Sequence, residues 1–213
     1  MSHKTAVIRV FLCIAMFIVV LLMSNDVFAK RISSNEFKEL ANKCAPEIAL
    51  ETLQAVVKVE SGFHPYAIAV VGGSSYYPND EDSALLIIDE AKNKKQSYSV
   101  GLGQINDQNF GLLNVSAKDM LDPCLNLQAS AKILKTCFVD AKSTFVDDAL
   151  SLKAALSCYY SGNFQTGLDH GYVDKVVNHK KTVVPSIDIL HRDQQITTPN
   201  LVESPHNKHG FMF

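Results

Sequence analysis

Ala49-Leu50-Glu51-Thr52-Leu53-Gln54-Ala55-Val56-Val57-Lys58-Val59-Glu60-Ser61-Gly62-Phe63-His64-Pro65 reads as one helix, its end, and a carboxylate at that end. Ala49, Leu53, Val56, Val57 and Glu60 recur at helical spacing, so they project from one side and put an acid on an apolar stripe. Gly62 and Pro65 stop the helix, because glycine accepts the left-handed cap and proline cannot continue the ladder. Upstream, Pro46 is expected at the first turn of this helix, and Phe37, Leu40, Ala41 and Cys44 mark a helix before it. Position alone gives Glu60 no task, since a glutamate on a helix usually pairs with a lysine or arginine of another element.

Downstream, residues 69–98 hold a Gly72-Gly73 turn, a polar run from Ser74 to Asp82, a short helix from Ser83 to Lys92, and a lysine-rich exit. This excursion either covers a substrate cleft or is a surface insertion. Gly101-Leu102-Gly103-Gln104-Ile105-Asn106 then has the glycine spacing of a binding loop or a tight turn. Ser116 to Asp119 has the form of a capping box. Leu127, Ala131, Leu134 and Phe138 predict an amphipathic helix from about Leu125 to Val139. Asp147 or Asp148 caps another, carrying Leu152, Ala155, Leu156 and Tyr159 and broken by Ser161-Gly162-Asn163. Tyr172, Val173, Val176 and Val177 follow Gly171 as a last short helix, and from Thr182 the chain has no periodicity and several prolines.

At the other end, His3, Lys4 and Arg9 precede an apolar run from Val10 to Met23, and Val27-Phe28-Ala29 has small residues where a signal peptidase reads. The run falls short of the roughly 20 residues of a membrane-spanning helix. The expected organisation is a signal peptide (1–29), one domain (30–181) and a flexible tail (182–213), with the mature protein in the periplasm; an uncleaved anchor is the alternative. A net charge of -2 with scattered basic residues excludes the electrostatic footprint of nucleic-acid binding.

Beyond Cys13, in the leader, the cysteines are Cys44, Cys124, Cys137 and Cys158, an even number in an exported chain. Cys124 and Cys137 flank one helix, which holds them about 20 Å apart and excludes their pairing. Cys44 with Cys124 and Cys137 with Cys158 is the pairing favoured; the crossed alternative stays open. His206 and His209 lie in the tail without further ligands, so no metal site is expected, and His64, His170 and His179 are read as surface residues.

Four segments occur in one order: Val59-Glu60-Ser61-Gly62-Phe63-His64-Pro65, Gly101-Leu102-Gly103-Gln104-Ile105-Asn106, Ala155-Leu156-Ser157-Cys158-Tyr159-Tyr160-Ser161-Gly162-Asn163, and Gly171-Tyr172-Val173. The set resembles the lysozyme-like lytic transglycosylases, and within them it is most similar to the specialised transglycosylases of type IV secretion systems. The resemblance runs from about Cys44 to Val177 and implies a mainly α, lysozyme-like (goose-type or soluble lytic transglycosylase) domain whose short insertion carries a small β-hairpin. It implies a substrate, the glycan strands of peptidoglycan, and no cofactor.

By the same resemblance Glu60 is the catalytic acid and then base, and Ser61 orients it or the sugar's acetamido group. Gln104 and Asn106 line the sugar cleft, and Tyr159 and Tyr172 approach the acid or substrate. The chain departs from the family pattern at Cys158, where an alanine is usual, and at Tyr160, where an asparagine is usual. Most glycosidases use two carboxylates, whereas Asp80, Glu81, Asp82 and Asp107 all sit in polar, solvated sequence. One acid suits the family's chemistry, in which the substrate's N-acetyl group assists and its own C6 hydroxyl attacks. A muramidase hydrolase of the same fold and a non-catalytic peptidoglycan-binding scaffold are the alternatives. The tail, ending in Phe211-Met212-Phe213, is a candidate contact for secretion-system components.

Overall fold

The structure is a computed structural model, and it describes residues 31–183. The expected signal peptide, the tail beyond residue 183, and His206 and His209 lie outside the described residues. No helix among the described residues is long and apolar enough to cross a membrane.

Helix α1, Ser34–Cys44, opens with a reciprocal capping box between Ser33 and Glu36. Helix α2, Leu50–Glu60, begins later than expected. The Ile48 N–H donates to the Ala45 carbonyl, so Pro46 occupies the second position of a tight turn, where its fixed φ fits equally well. Helix α3, Glu81–Asn93, is capped by Asp80, whose side chain accepts from the Ser83 N–H. Helix α4 is the single turn Phe110–Leu113. Asp122 caps the long α5, Pro123–Lys142, and Asp147 caps α6, Asp148–Ser161. A short α7, Thr166–Asp169, leads into α8, Tyr172–Val183. The border expected at residue 181 thus falls inside a helix, whose ladder runs on until Pro185 is near.

Strands β1 (Ile68–Val70), β2 (Ser75–Tyr76), β3 (Tyr98–Val100) and β4 (Ile105–Asn106) form an antiparallel sheet in the order β2-β1-β3-β4. Val100 pairs with Ile68 on one side and Ile105 on the other. The sheet is therefore larger than the single hairpin expected, and its second hairpin is the Gly101 to Asn106 segment itself.

Two apolar clusters share α2 and α5. Leu53 and Val57 of α2 meet Phe37, Leu102, Leu127 and Ala131 on one side. Ala55 and Val56 belong with Ile88, Met120, Ile133, Leu156 and Val176 on the other. Helix α8 packs along α2, and α6 along α5. Disulfides Cys44–Cys124 and Cys137–Cys158 tie α1 to α5 and α5 to α6, with Cα separations of 5.4 and 5.7 Å.

Candidate active site

Glu60 is the last residue of α2 and lines an open cleft together with Ser99, Gln104, Asn106, Tyr159 and Tyr160. Among the described residues that line it, Glu60 is the sole acid. The Tyr172 hydroxyl, from the first residue of α8, donates to Glu60 Oε1 at 2.5 Å. Burial pushes the Glu60 carboxyl up to about 7, and the Tyr172 hydrogen bond, which favours the ionised form, offsets part of that rise. Burial, and next the charge of Glu60, hold the Tyr159 and Tyr172 phenols well above their ordinary value, so both remain neutral donors.

The far wall is the β3–β4 hairpin, and close packing fixes its backbone. Gly101 has φ +81°, and a Cβ on it would lie 2.2 Å from the Asn126 amide nitrogen. A Cβ on Gly103 would lie 1.9 Å from Ser130 Oγ and 2.8 Å from the Tyr159 hydroxyl. Only glycine lets the turn come this near to α5 and α6. Asn126, fully buried on α5, accepts from the Gly103 N–H at 2.8 Å and donates to the carbonyls of Val100 and Met120 at 2.8 and 2.9 Å. Tyr159 closes the other side of the turn by donating to the Gly103 carbonyl at 2.7 Å.

Sequence reasoning missed Asn126. Its only signal is a polar residue on the buried face of an amphipathic helix, repeated one turn later by Ser130, which is also fully buried. Asn126→Ala is expected to cost about 3 kcal/mol, because it strands three buried backbone groups. Urea unfolding measures the loss, and a cost below about 1 kcal/mol would mean that water replaces the amide.

Glu60, Gln104, Asn106 and Tyr159 come together in the cleft, and Tyr172 reaches it through Glu60. Gln104, at φ 50°, donates through Nε2 to the carbonyls of Ala67 and Gly101, so its amide nitrogen is committed to the hairpin. Asn106 is largely committed to the turn: its side chain exchanges hydrogen bonds with Ser97 and accepts from the Gln108 N–H. Ser61 is not part of the lining; it is buried, and its hydroxyl donates to the Val57 carbonyl at 3.3 Å, capping α2 beneath Glu60.

Three of the other acids have local work. Asp80 caps α3, Asp107 accepts from Ser97 and the Tyr98 N–H, and Glu81 pairs with Lys118. Within the excursion Ala69 lines the cleft while residues 71–98 do not, and Ala84, Ile88 and Ala91 of α3 are buried in the core. His64, expected at the surface, is buried under the Tyr77 ring because the chain turns back sharply after Gly62. His170 and His179 are exposed.

The family described as Transglycosylase SLT domain matches residues 38–178, a span that contains every residue of the cleft. The chain is also similar to Protein virB1 of Agrobacterium tumefaciens (strain 15955), at 36% identity over 160 residues, 75% of this chain and 66% of that protein. Type IV secretion system protein virB1 of Brucella abortus (strain 2308) is 39% identical over 148 residues, 66% of this chain and 62% of that protein. The match covers slightly less than two thirds of those relatives. No solved structure matches the chain. With its matched region enclosing the acid, the hairpin and the two tyrosines, the chain belongs to the Transglycosylase SLT domain family.

Proposed function

We propose that the protein is a lytic transglycosylase, exported to the periplasm, that cuts the β-1,4 bond between N-acetylmuramic acid and N-acetylglucosamine in peptidoglycan. The observation that carries this reading is a single carboxyl group, raised to about 7 by burial, at the floor of a cleft with no second acid among the described residues. Near neutral pH a substantial share of Glu60 is protonated and can donate to the leaving glycosidic oxygen. The carboxylate left behind keeps the hydrogen bond from Tyr172.

A one-acid site suits the family's chemistry, in which the acceptor comes from the substrate. Its acetamido group assists departure, and the C6 hydroxyl of the muramic acid then attacks the anomeric carbon. Glu60 takes the proton of that hydroxyl, which returns the acid to its starting state and leaves a 1,6-anhydro end. Holding the nucleophile within the substrate removes the entropy cost of recruiting one.

Gln104 is assigned to the bound sugar through its free amide oxygen, Asn106 to the cleft edge, and Tyr159 to the hairpin that carries Gln104. Ser61 is assigned an indirect role, holding the end of α2 on which Glu60 sits. The similarity to the Brucella type IV secretion system protein virB1 supports a place for this activity in such an apparatus, where it opens the wall locally, with the tail beyond residue 183 as the candidate contact to its components.

The test is mass spectrometry of purified cell wall digested by the protein. Anhydromuramic ends are expected. Reducing ends would make water the acceptor and the protein a muramidase; no cleavage at all would leave a binding scaffold.

A further inference from the structure

Tyr160 lies at the cleft wall, and nothing so far uses it. It is 40% exposed at the cleft wall, yet its ring is engaged. It stacks on Tyr172 with centroids 4.7 Å apart and planes 19° from parallel. Its hydroxyl lies 3.3 Å from His170 Nδ1, and the His170 ring stands edge-on to it at 6.0 Å. Tyr172 is the first residue of α8, where a helix has its weakest internal restraint. An aromatic stack supplies the orientation that the backbone does not.

We propose that Tyr160 is a positioning residue for the catalytic acid: its ring fixes the plane of Tyr172 and thereby aims the Tyr172 hydroxyl at Glu60. This rests on the assignment of Glu60 as the acid. One face of Tyr160 is taken by Tyr172. His170 braces the far end of the ring from the turn that leads into α8. The chain of contacts runs His170, Tyr160, Tyr172, Glu60.

The surroundings make the effect readable as a titration. The titratable groups that face Glu60 are Tyr172 from α8 and Tyr159 from α6. The hairpin brings Gln104 and Asn106, which carry no charge, and α5 brings Ile133. Lys58, on the same helix as Glu60, is exposed and lies over the Phe63 ring. Because the Tyr172 hydrogen bond favours ionised Glu60, loosening it must move the Glu60 midpoint up.

The experiment follows the full chain labelled with 13C at the glutamate carboxyl. Its Glu60 resonance is assigned by its absence in Glu60→Gln and titrated by NMR, beside the pH dependence of kcat and kcat/KM on soluble glycan strands. In Tyr160→Leu the midpoint and the alkaline limb of kcat/KM are expected to rise together by about one pH unit, with kcat about tenfold lower. Tyr160→Phe, which keeps the stack, recovers the limb and most of kcat. Tyr160→Leu adds nothing to the midpoint when Tyr172 is already phenylalanine. Tyr160→Asn is read the same way should the leucine variant misfold.

A raised KM with midpoint and kcat unmoved would make Tyr160 a sugar platform and overturn the proposal. An unmoved midpoint in both the leucine and asparagine variants would overturn it as well. Failure of the Glu60 assignment shows separately, as a wild-type limb that does not follow the NMR midpoint of Glu60.

Discussion

Glu60→Gln is expected to lower glycan cleavage by about 10³-fold or more while making the folded protein more stable at pH 8. The first effect follows because glutamine cannot deliver or accept the proton, and no neighbouring acid lining the cleft can substitute. The second follows from linkage. Glu60 titrates at about 7 in the fold against an ordinary value of 4.5, so the folded state holds a proton that the unfolded state has released. Stability therefore falls as pH rises between those two values, and the deficit is complete above the higher one. Cleft water screens part of the penalty, so removing the charge is expected to return about 2 kcal/mol at pH 8 and almost nothing at pH 4. Release of muropeptides and thermal unfolding at the two pH values measure both effects. Cleavage within tenfold of wild type would remove Glu60 from the chemistry.

Replacing Cys44 and Cys124 together by serine is expected to cost about 4 kcal/mol. The bond joins positions separated by 80 residues, and the entropy it removes from the unfolded chain grows with the closed loop. Cys137–Cys158 spans 21 and is worth about 3 kcal/mol on the same basis. The longer loop encloses α2, the sheet, and everything up to the start of α5, so its loss frees the acid and the hairpin wall from a common anchor. Urea unfolding of the double variant in oxidising buffer gives the figure. A cost under about 1 kcal/mol would show that packing of Phe37, Leu53 and Leu127 alone holds α1 to α5.

What could be read from the chain beforehand was whatever repeats locally. The apolar stripe of α2 ends in Glu60 with a glycine just beyond, and both the helix and its stop are local patterns. The aspartates before α5 and α6 are likewise adjacent to the backbone groups they cap. Pro46 misled because proline's fixed φ suits a helix's first turn and a tight turn equally. The Gly101 to Asn106 segment was legible as a binding loop or a tight turn, and it is the turn of a hairpin; its strands, two or three residues long, have too few alternations to announce themselves. The clamp of Asn126 on Gly103 and the stack of Tyr160 on Tyr172 are tertiary contacts between elements, and no spacing rule encodes them. His64 is a third such case, buried by a turn that brings Tyr77 over it.

The hydrogen bond from Tyr172 to Glu60 joins positions 112 residues apart. A ribosome or an export channel releases the two ends of that bond at different moments, and the acid emerges long before its partner. In the unfolded chain Glu60 faces bulk water, where a carboxyl is ionised at neutral pH and has no proton to give. A chain interrupted before Tyr172 carries Glu60 but lacks both the hydrogen bond and the packing of α8 along α2. On the proposed function, the site is completed only when the last described helix has joined the helix that bears the acid.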